Sequence, residues 1–169
     1  LIESDQGLIL VDTGIGTGDY ANPTPFTRIF RVITEMPFDE DQAAIRQIER
    51  LGYKAEDLKH IALTHMHFDH LSGLADFPHA EIHLARREYD AFMGKRKSFF
   101  DLAYDKKYIA HNPNFKLYDD LGEKWFDFDA IRLPFTPEMW LIPLEGHTRG
   151  HCGVALKTEK GWRLNCGDA

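Results

Sequence analysis

The chain has 169 residues, of which 43% are apolar and 28% are charged, the ordinary mix of a soluble globular protein. No apolar stretch approaches the roughly 20 residues that a membrane-spanning helix needs, which excludes a transmembrane protein. Twenty Lys and Arg against 27 Asp and Glu give a net charge of −7, and the longest basic run is only residues 95–97. We therefore expect neither a nucleic-acid partner nor a membrane partner. Two lone cysteines fit a cytoplasmic protein.

Both ends of the chain interrupt a predicted element. The chain begins without Met inside a predicted strand, at residues 1–4, and stops at residues 167–169, directly after another strand. We expect a single domain over residues 1–169 that is a fragment truncated at both ends. Any signal peptide would lie outside this sequence.

The first predicted elements form a hairpin followed by a loop. Residues 1–4 and 8–11 are apolar runs around a turn that contains Gly7, which is the pattern of a β-hairpin. Three glycines between residues 12 and 18 predict a loop. Residues 19–38 contain three prolines, and we expect them to be irregular apart from one helical turn.

The middle of the chain alternates helical and extended patterns. A helix is predicted from residue 39, where acidic side chains suit its positive end, to a C-cap at Gly52. Short strands are predicted at residues 61–64 and 81–84. Residues 86–111 are mostly helical in pattern and rich in aromatic side chains.

The last third of the chain is predicted to be extended. Its apolar runs predict four strands, the last two joined as a hairpin: residues 130–133, 139–143, 153–157 and 162–166. Mixed hairpins and helices indicate sheets covered by helices, an α/β or α+β layered domain.

The most informative segment is His65-x-His67-x-Asp69-His70, directly after a predicted buried strand. Neutral imidazoles and carboxylates are the ligands that Zn²⁺ takes in catalytic sites. In an extended segment His65, His67 and Asp69 share one face, and a turn into the next helix moves His70 to a different side. Four ligands spread in this way serve two metals better than one.

Two later segments supply further candidate ligands. Residues 145–151 place His147 and His151 between strands, with glycines that permit tight loops. Asp168 follows a strand, and its two oxygens suit it to bridge two cations. Four other histidines show no such pattern and are interpreted as structural: His60, His79, His83 and His111.

Together these motifs resemble the metallo-β-lactamase superfamily of metallohydrolases. Four matches occur in the family's order along most of the chain: Leu10-Val11-Asp12-Thr13-Gly14, the 65–70 cluster, Gly146-His147-Thr148-x-Gly150-His151 and Cys166-Gly167-Asp168. The first and last are weak alone, whereas the 65–70 cluster is a strong match. The resemblance implies a four-layered αβ/βα sandwich whose C-terminal part is missing from this chain.

The resemblance also implies a ligand set for two metals, which carries over as three groups: His65, His67 and His147 for the first ion, Asp69 and His70 for the second, and Asp168 bridging both. Asp12 would hold ligands in position without binding metal, and His151 would support its loop. The family's last ligand to the second ion would lie beyond residue 169.

The branch of the family is narrowed by single positions. His67 argues against the flavo-diiron branch, which has Glu there, and Asp168 argues against the best-known β-lactamase subclass, which has Cys. The acidic charge disfavours the RNA-processing branch. Lactonases and glyoxalase II-like thioesterases remain. The aromatic segment at 86–111 loosely resembles the lactonase insert over the site, and packing of a helix against the core explains it equally well.

The leading hypothesis is a zinc-dependent hydrolase that opens a lactone or related ester with a metal-bound hydroxide. We expect two Zn²⁺ per complete domain, although Fe and Mn also occupy such sites. Asp69 would be catalytic, steering the nucleophile or passing a proton to the leaving group. The alternatives are a glyoxalase II-like thioesterase and a non-catalytic metal-binding module. The expected partner is a small-molecule substrate, and the sequence indicates neither its binding residues nor an oligomeric state.

Overall fold

The computed structural model describes residues 1–95, 100–119 and 122–169. Within these ranges the strands, in chain order, are β1 (Ile2–Ser4), β2 (Gly7–Val11), β3 (Leu58–Ala62), β4 (Glu81–Ala85), β5 (Asn114–Tyr118), β6 (Glu123–Trp125), β7 (Phe128–Leu133), β8 (Met139–Pro143), β9 (Cys152–Thr158) and β10 (Gly161–Asn165). The α-helices are α1 (Thr17–Ala21), α2 (Pro25–Thr34), α3 (Ala44–Arg50), α4 (Phe68–Leu71) and α5 (Arg86–Met93). Short 3-10 helices occupy Glu40–Gln42, Ala55–Asp57, Ser72–Asp76, Phe100–Ala103 and Lys106–Ile109.

The strands form two five-stranded sheets. In the first sheet β1 and β2 are an antiparallel hairpin, and β2, β3, β4 and β5 run parallel in that order. Parallel neighbours need long crossovers, and helices occupy the crossovers here. The second sheet is an antiparallel meander from β6 to β10. The mixed α/β architecture predicted from the sequence is confirmed.

Alternation along β3 separates two hydrophobic cores. Ile61 belongs to the core between the first sheet and its helices, where it packs with Leu71 and Leu74. Ala62 points the other way, into the core between the two sheets, which includes Met139. Successive side chains of a strand face opposite sides, so one strand serves both layers. The donor motif begins where this doubly buried strand ends.

The structure corrects the prediction that residues 19–38 are irregular. Helix α2 occupies Pro25–Thr34 within that range. Pro25 lies in the first turn, where its missing N–H costs nothing, and Oγ1 of Thr24 accepts a hydrogen bond from the Thr27 N–H at 3.0 Å. Here proline marks the beginning of a helix and not a break in it.

Two other predictions need adjustment. Among the described residues of 86–111, only α5 and two short 3-10 helices are helical. Residues 96–99 of the predicted helical stretch lie outside the described residues. The strand expected at 61–64 is instead β3, which leaves residues 63 and 64 in the loop. Strands β5 and β6 were not predicted: β5 alternates polar and apolar residues over only five positions, and β6 has only three residues, two of them charged.

Candidate metal centre

The 65–70 motif lies where β3 ends, at the carboxyl edge of the parallel sheet. Loops at this edge commonly carry binding residues on a rigid scaffold. His67 is in extended conformation immediately before α4, and that helix carries Asp69 and His70. The chain therefore changes from strand to helix inside the motif, so His70 approaches from a different direction than His65.

Three of the predicted ligands meet in a first group. The donor atoms of His65, His67 and His147 all lie within 4.8 Å of one another. Nε2 of His147 lies 2.9 Å from Nδ1 of His67, and the ring centroids of His65 and His147 are 4.8 Å apart. The loop between β8 and β9 thus brings its histidine against the loop after β3.

A second group consists of His65, His70 and Asp168, also with donor atoms within 4.8 Å. Oδ1 of Asp168 lies 3.2 Å from Nε2 of His70, whereas Oδ2 lies 3.2 Å from Nε2 of His147 and 3.9 Å from Nε2 of His65. One carboxylate oxygen faces each group. This is the position that a bridging ligand would need.

Asp69 is adjacent to the second group without joining either set of three donors. Its Oδ2 lies 3.9 Å from Nε2 of His70. Burial raises the pKa of the Asp69 carboxyl, and the neighbouring His70 opposes that shift. A partly buried carboxylate thus lies beside the second donor group.

Asp12 fixes the start of the motif. Its carboxylate accepts hydrogen bonds from the Thr64 N–H and from Oγ1 of Thr64, both at 2.8 Å, and contacts Nδ1 of His70 at 2.9 Å. Burial alone would lower the pKa of His70, but the hydrogen bond and charge of Asp12 outweigh it and raise this pKa to about 9. Because Asp12 engages Nδ1, the opposite nitrogen of His70 is directed towards Asp168.

His151 engages both of its ring nitrogens within the protein. Nδ1 lies 3.0 Å from the carbonyl oxygen of Leu144, and Nε2 accepts a hydrogen bond from the Asp168 N–H at 3.1 Å. This pattern corresponds to a proton on Nδ1. A side chain at Gly167, where φ is +56°, would place its Cβ only 2.5 Å from Nε2 of His151. These two contacts indicate that His151 positions the backbone of Asp168.

Glu88, in helix α5, was not identified from the sequence. It forms hydrogen bonds with both the loop after β3 and the loop between β8 and β9. Its side chain is fully buried. Oε1 accepts hydrogen bonds from the Met66 N–H at 2.9 Å and the Tyr104 hydroxyl at 2.8 Å; Oε2 accepts from the Thr148 hydroxyl at 2.7 Å and the Gly150 N–H at 3.2 Å. A single Glu in a polar helical run gives no sequence signal for this role, because such residues usually face solvent.

The electrostatics of the first group favour neutral imidazoles. Burial and the neighbouring histidines lower the pKa of His67 to about 3, and the same causes lower that of His65 further. Among the described residues, buried Nε2 of His65 and buried Nε2 of His67 have no hydrogen-bond partner. Buried polar atoms without partners are costly, and neutral imidazoles are the form that binds metals. A divalent cation fits this donor set.

Comparison with known proteins now decides the family. The family model described as the metallo-beta-lactamase superfamily matches residues 1–168. The chain belongs to the metallo-β-lactamase superfamily. Among the residues that the structure describes, every helix is too short or too polar to cross a bilayer.

Curated relatives include hydrolases with and without a named substrate. The chain is 39% identical over 171 residues to a probable metallo-hydrolase of Mycobacterium tuberculosis, with all of this chain and 55% of the relative covered. It is 31% identical over 161 residues to an N-acyl homoserine lactonase of Bacillus cereus, with 95% of this chain and 58% of the relative covered. The chain thus spans slightly more than half the length of these relatives.

Solved structures agree with this assignment. A quorum-quenching N-acyl homoserine lactone lactonase superposes with a TM-score of 0.66 at 28% identity, covering 96% of this chain and 56% of that one. An N-acyl homoserine lactone hydrolase, with the product N-hexanoyl-L-homoserine bound at its catalytic metal centre, superposes with a TM-score of 0.65 at 25% identity. That match covers 95% of this chain and 58% of the other. The predicted αβ sandwich is confirmed.

The role of Glu88 is testable through stability. Glu88→Gln replaces an acceptor-only carboxylate with an amide whose NH₂ faces two of the four donors. We expect the free energy of unfolding of the full-length protein to fall by about 2 kcal/mol or more, because at least one buried donor loses its partner. Urea denaturation measures this change. The matched control is Glu49→Gln, at an exposed helix position, which should stay within about 0.5 kcal/mol of wild type. Equal stability of the two variants would contradict the role of Glu88.

Proposed function

We propose that the full-length protein containing this chain is a metal-dependent hydrolase that opens a lactone. The observation that carries the proposal is the pair of donor groups with Asp168 between them, each oxygen 3.2 Å from a different histidine nitrogen. The donors are three imidazoles in the first group and two imidazoles with a carboxylate in the second. Catalytic zinc sites use three such protein ligands and keep the fourth position for water or substrate, whereas structural sites are closed by four protein ligands, often cysteines.

The two donor groups supply most of the residues that would hold metal. His65, His67 and His147 would bind one ion, His70 would bind the second, and Asp168 would bridge them. Asp69 would complete the ligands of the second ion, since its Oδ2 lies 3.9 Å from Nε2 of His70. The partnerless Nε2 of His65 supports this assignment, because a cation would satisfy that buried nitrogen. We propose Zn²⁺ at both positions, since neutral imidazole and carboxylate suit it; Fe and Mn use the same donors.

The chemistry divides between the ions and the chain. A bound Zn²⁺ supplies Lewis acidity, lowering the pKa of coordinated water to about 7 and polarising a carbonyl group. Asp12 orients His70 through Nδ1 and prevents that ring from rotating. Nε2 of His151 accepts a hydrogen bond from the backbone N–H of Asp168 and so fixes the position of that residue. Asp69, bordering the second group, would accept a proton at its carboxylate and pass it to the leaving oxygen.

A lactone with an acyl chain is the substrate class that we favour. Two named relatives, at 31% and 25% identity, are a homoserine lactonase and a homoserine lactone hydrolase. In this chain a cavity of about 280 Å³ is lined by both apolar and polar residues: Phe26, Phe68, Leu102 and Ala103, with Thr24, Asp105 and Tyr108. Phe68 directly follows His67 in the chain, so the cavity borders the 65–70 segment at this residue. The apolar part of such a cavity suits an acyl chain.

The reaction type is tested with two substrates in parallel. We expect the zinc-loaded full-length protein to release acid from an N-acyl homoserine lactone in a pH-stat, and to stop when a chelator is added. Release of thiol from an acyl thioester, measured with a thiol reagent, should be at least tenfold slower at equal concentration. Faster thioester cleavage would instead favour the glyoxalase II-like alternative. A metal-loaded protein inactive on both substrates would contradict the proposal and favour a non-catalytic module.

The positioning role of Asp12 is tested by Asp12→Asn. The amide nitrogen would face Nδ1 of His70 and the Thr64 donors, so the His70 ring would lose its fixed orientation. Outer partners of this kind typically contribute 10–100-fold to metal affinity or activity. We expect zinc affinity, measured by competition with a chromophoric chelator, to fall by about that factor. Asp127→Asn, at an exposed turn, is the control and should bind zinc as the wild type does. Unchanged affinity in Asp12→Asn would exclude the role.

A further inference from the structure

A separate cluster of histidines, outside the two donor groups of the candidate metal centre, lies within the first sheet and not at its edge. His60 is in β3, and Glu81 and His83 are in the adjacent strand β4, where His60 pairs with Glu81 and Ala62 pairs with His83. Glu81 and His83 are two residues apart, so their side chains share one face of the strand. That face is turned towards the second sheet, because the Phe135 ring lies 4.8 Å from the His60 ring and 4.9 Å from the His83 ring.

The donor atoms of this group have the spacing of metal ligands. Nδ1 of His60 and Nε2 of His83 are 3.1 Å apart. Oε2 of Glu81 lies 3.3 Å from Nε2 of His83 and 3.9 Å from Nδ1 of His60. Ligand atoms at 2.0–2.1 Å from a tetrahedral Zn²⁺ lie about 3.3 Å from one another. The three observed separations bracket that value, and an ion held by these three atoms would replace the hydrogen bond between Nδ1 of His60 and Nε2 of His83.

We propose that His60, Glu81 and His83 form a separate binding site for one divalent cation of the zinc class. Two imidazoles and a carboxylate are a donor set that Zn²⁺ uses elsewhere, with a fourth position left for water. The cation would reach the site from the Glu81 side: the Glu81 side chain is 31% exposed, and those of His60 and His83 are 14% and 0%. This site shares no donor residue with the centre formed by residues 65–70, 147 and 168.

The groups behind the donors support the same site. The hydroxyl of Tyr118 lies 2.8 Å from Nδ1 of His83, which leaves Nε2 of that ring for the cation. Histidine ligands characteristically use their second nitrogen in this way, which fixes the orientation of the His83 ring. Burial lowers the pKa of His83 to about 3 and lowers that of His60, so both rings are neutral near pH 7.

One neighbour competes with a cation for this site. Nζ of Lys116 lies 3.7 Å from Oε2 of Glu81, and the Lys116 side chain is 44% exposed. Exposed ion pairs contribute little, and a long Lys side chain turns readily to solvent. The proposal therefore requires that removal of the Lys116 charge tightens cation binding. A cluster held only by hydrogen bonds would show no such effect.

The test counts zinc bound to the full-length protein, using titration against a chromophoric chelator. We expect Glu81→Gln and His60→Gln each to bind one equivalent fewer than wild type. Glu159→Gln, at an exposed turn, is the matched control and should bind the wild-type number. Lys116→Gln should bind the affected equivalent at least threefold more tightly. Because the comparison is between variants, it gives an answer whatever the donor groups at the sheet edge bind.

Two results would overturn the proposal. One is the same zinc count in wild type, Glu81→Gln and His60→Gln. The other is a lower count in Glu81→Gln with lost chelator-sensitive lactone hydrolysis, which would mean that the substitution disturbs the first centre. Circular dichroism confirms that each variant is folded. Glu81→Gln keeps the size of a partly exposed side chain, so it preserves the test if His60→Gln fails to fold.

Discussion

The carboxylate of Asp12 is the contact on which the arrangement of the donor side chains depends. Asp12 follows β2 and adopts a left-handed backbone conformation with φ of 51°. Its carboxylate accepts hydrogen bonds from the backbone N–H and the hydroxyl of Thr64. The loop after one parallel strand is thereby fixed to the loop after its neighbour. The Asp12 carboxylate also contacts Nδ1 of His70, so the same group that fixes the backbone of the loop fixes the orientation of a donor side chain.

The candidate centre also joins the two sheets. His65, His67 and His70 follow a strand of the first sheet, whereas His147 and Asp168 follow strands of the second. Backbone and buried side chains already connect these loops: the Cys152 N–H donates to the Thr64 carbonyl at 2.9 Å, and Glu88 binds both loops. A cation held here would cross-link the sheets, so metal binding would add directly to folding stability.

The sequence was most informative where chemistry is concentrated in a short motif. The pattern from His65 to His70 predicted a metal site and its place after a strand, because few structural needs put so many donors together. Helix α2 was missed because prolines were interpreted as breaks, although Pro25 occupies the one turn that tolerates it. Glu88 was missed because nothing in a helical run indicates which acidic side chain becomes buried.

The same limit explains why His60 and His83 were interpreted as structural residues. They are 23 positions apart, and only the register of β3 against β4 brings Nδ1 of His60 within 3.1 Å of Nε2 of His83. Local sequence patterns report neighbours along the chain, whereas pairing between parallel strands depends on crossovers that have no short-range signature. Sites built across strands therefore appear only once the fold is known.

The most direct test of the account is anomalous X-ray diffraction, at the zinc edge, from crystals of the zinc-loaded full-length protein. The account predicts one ion among His65, His67 and His147 and a second beside His70, with Asp168 between them. A single ion enclosed by four protein ligands, or zinc absent from both groups, would contradict it.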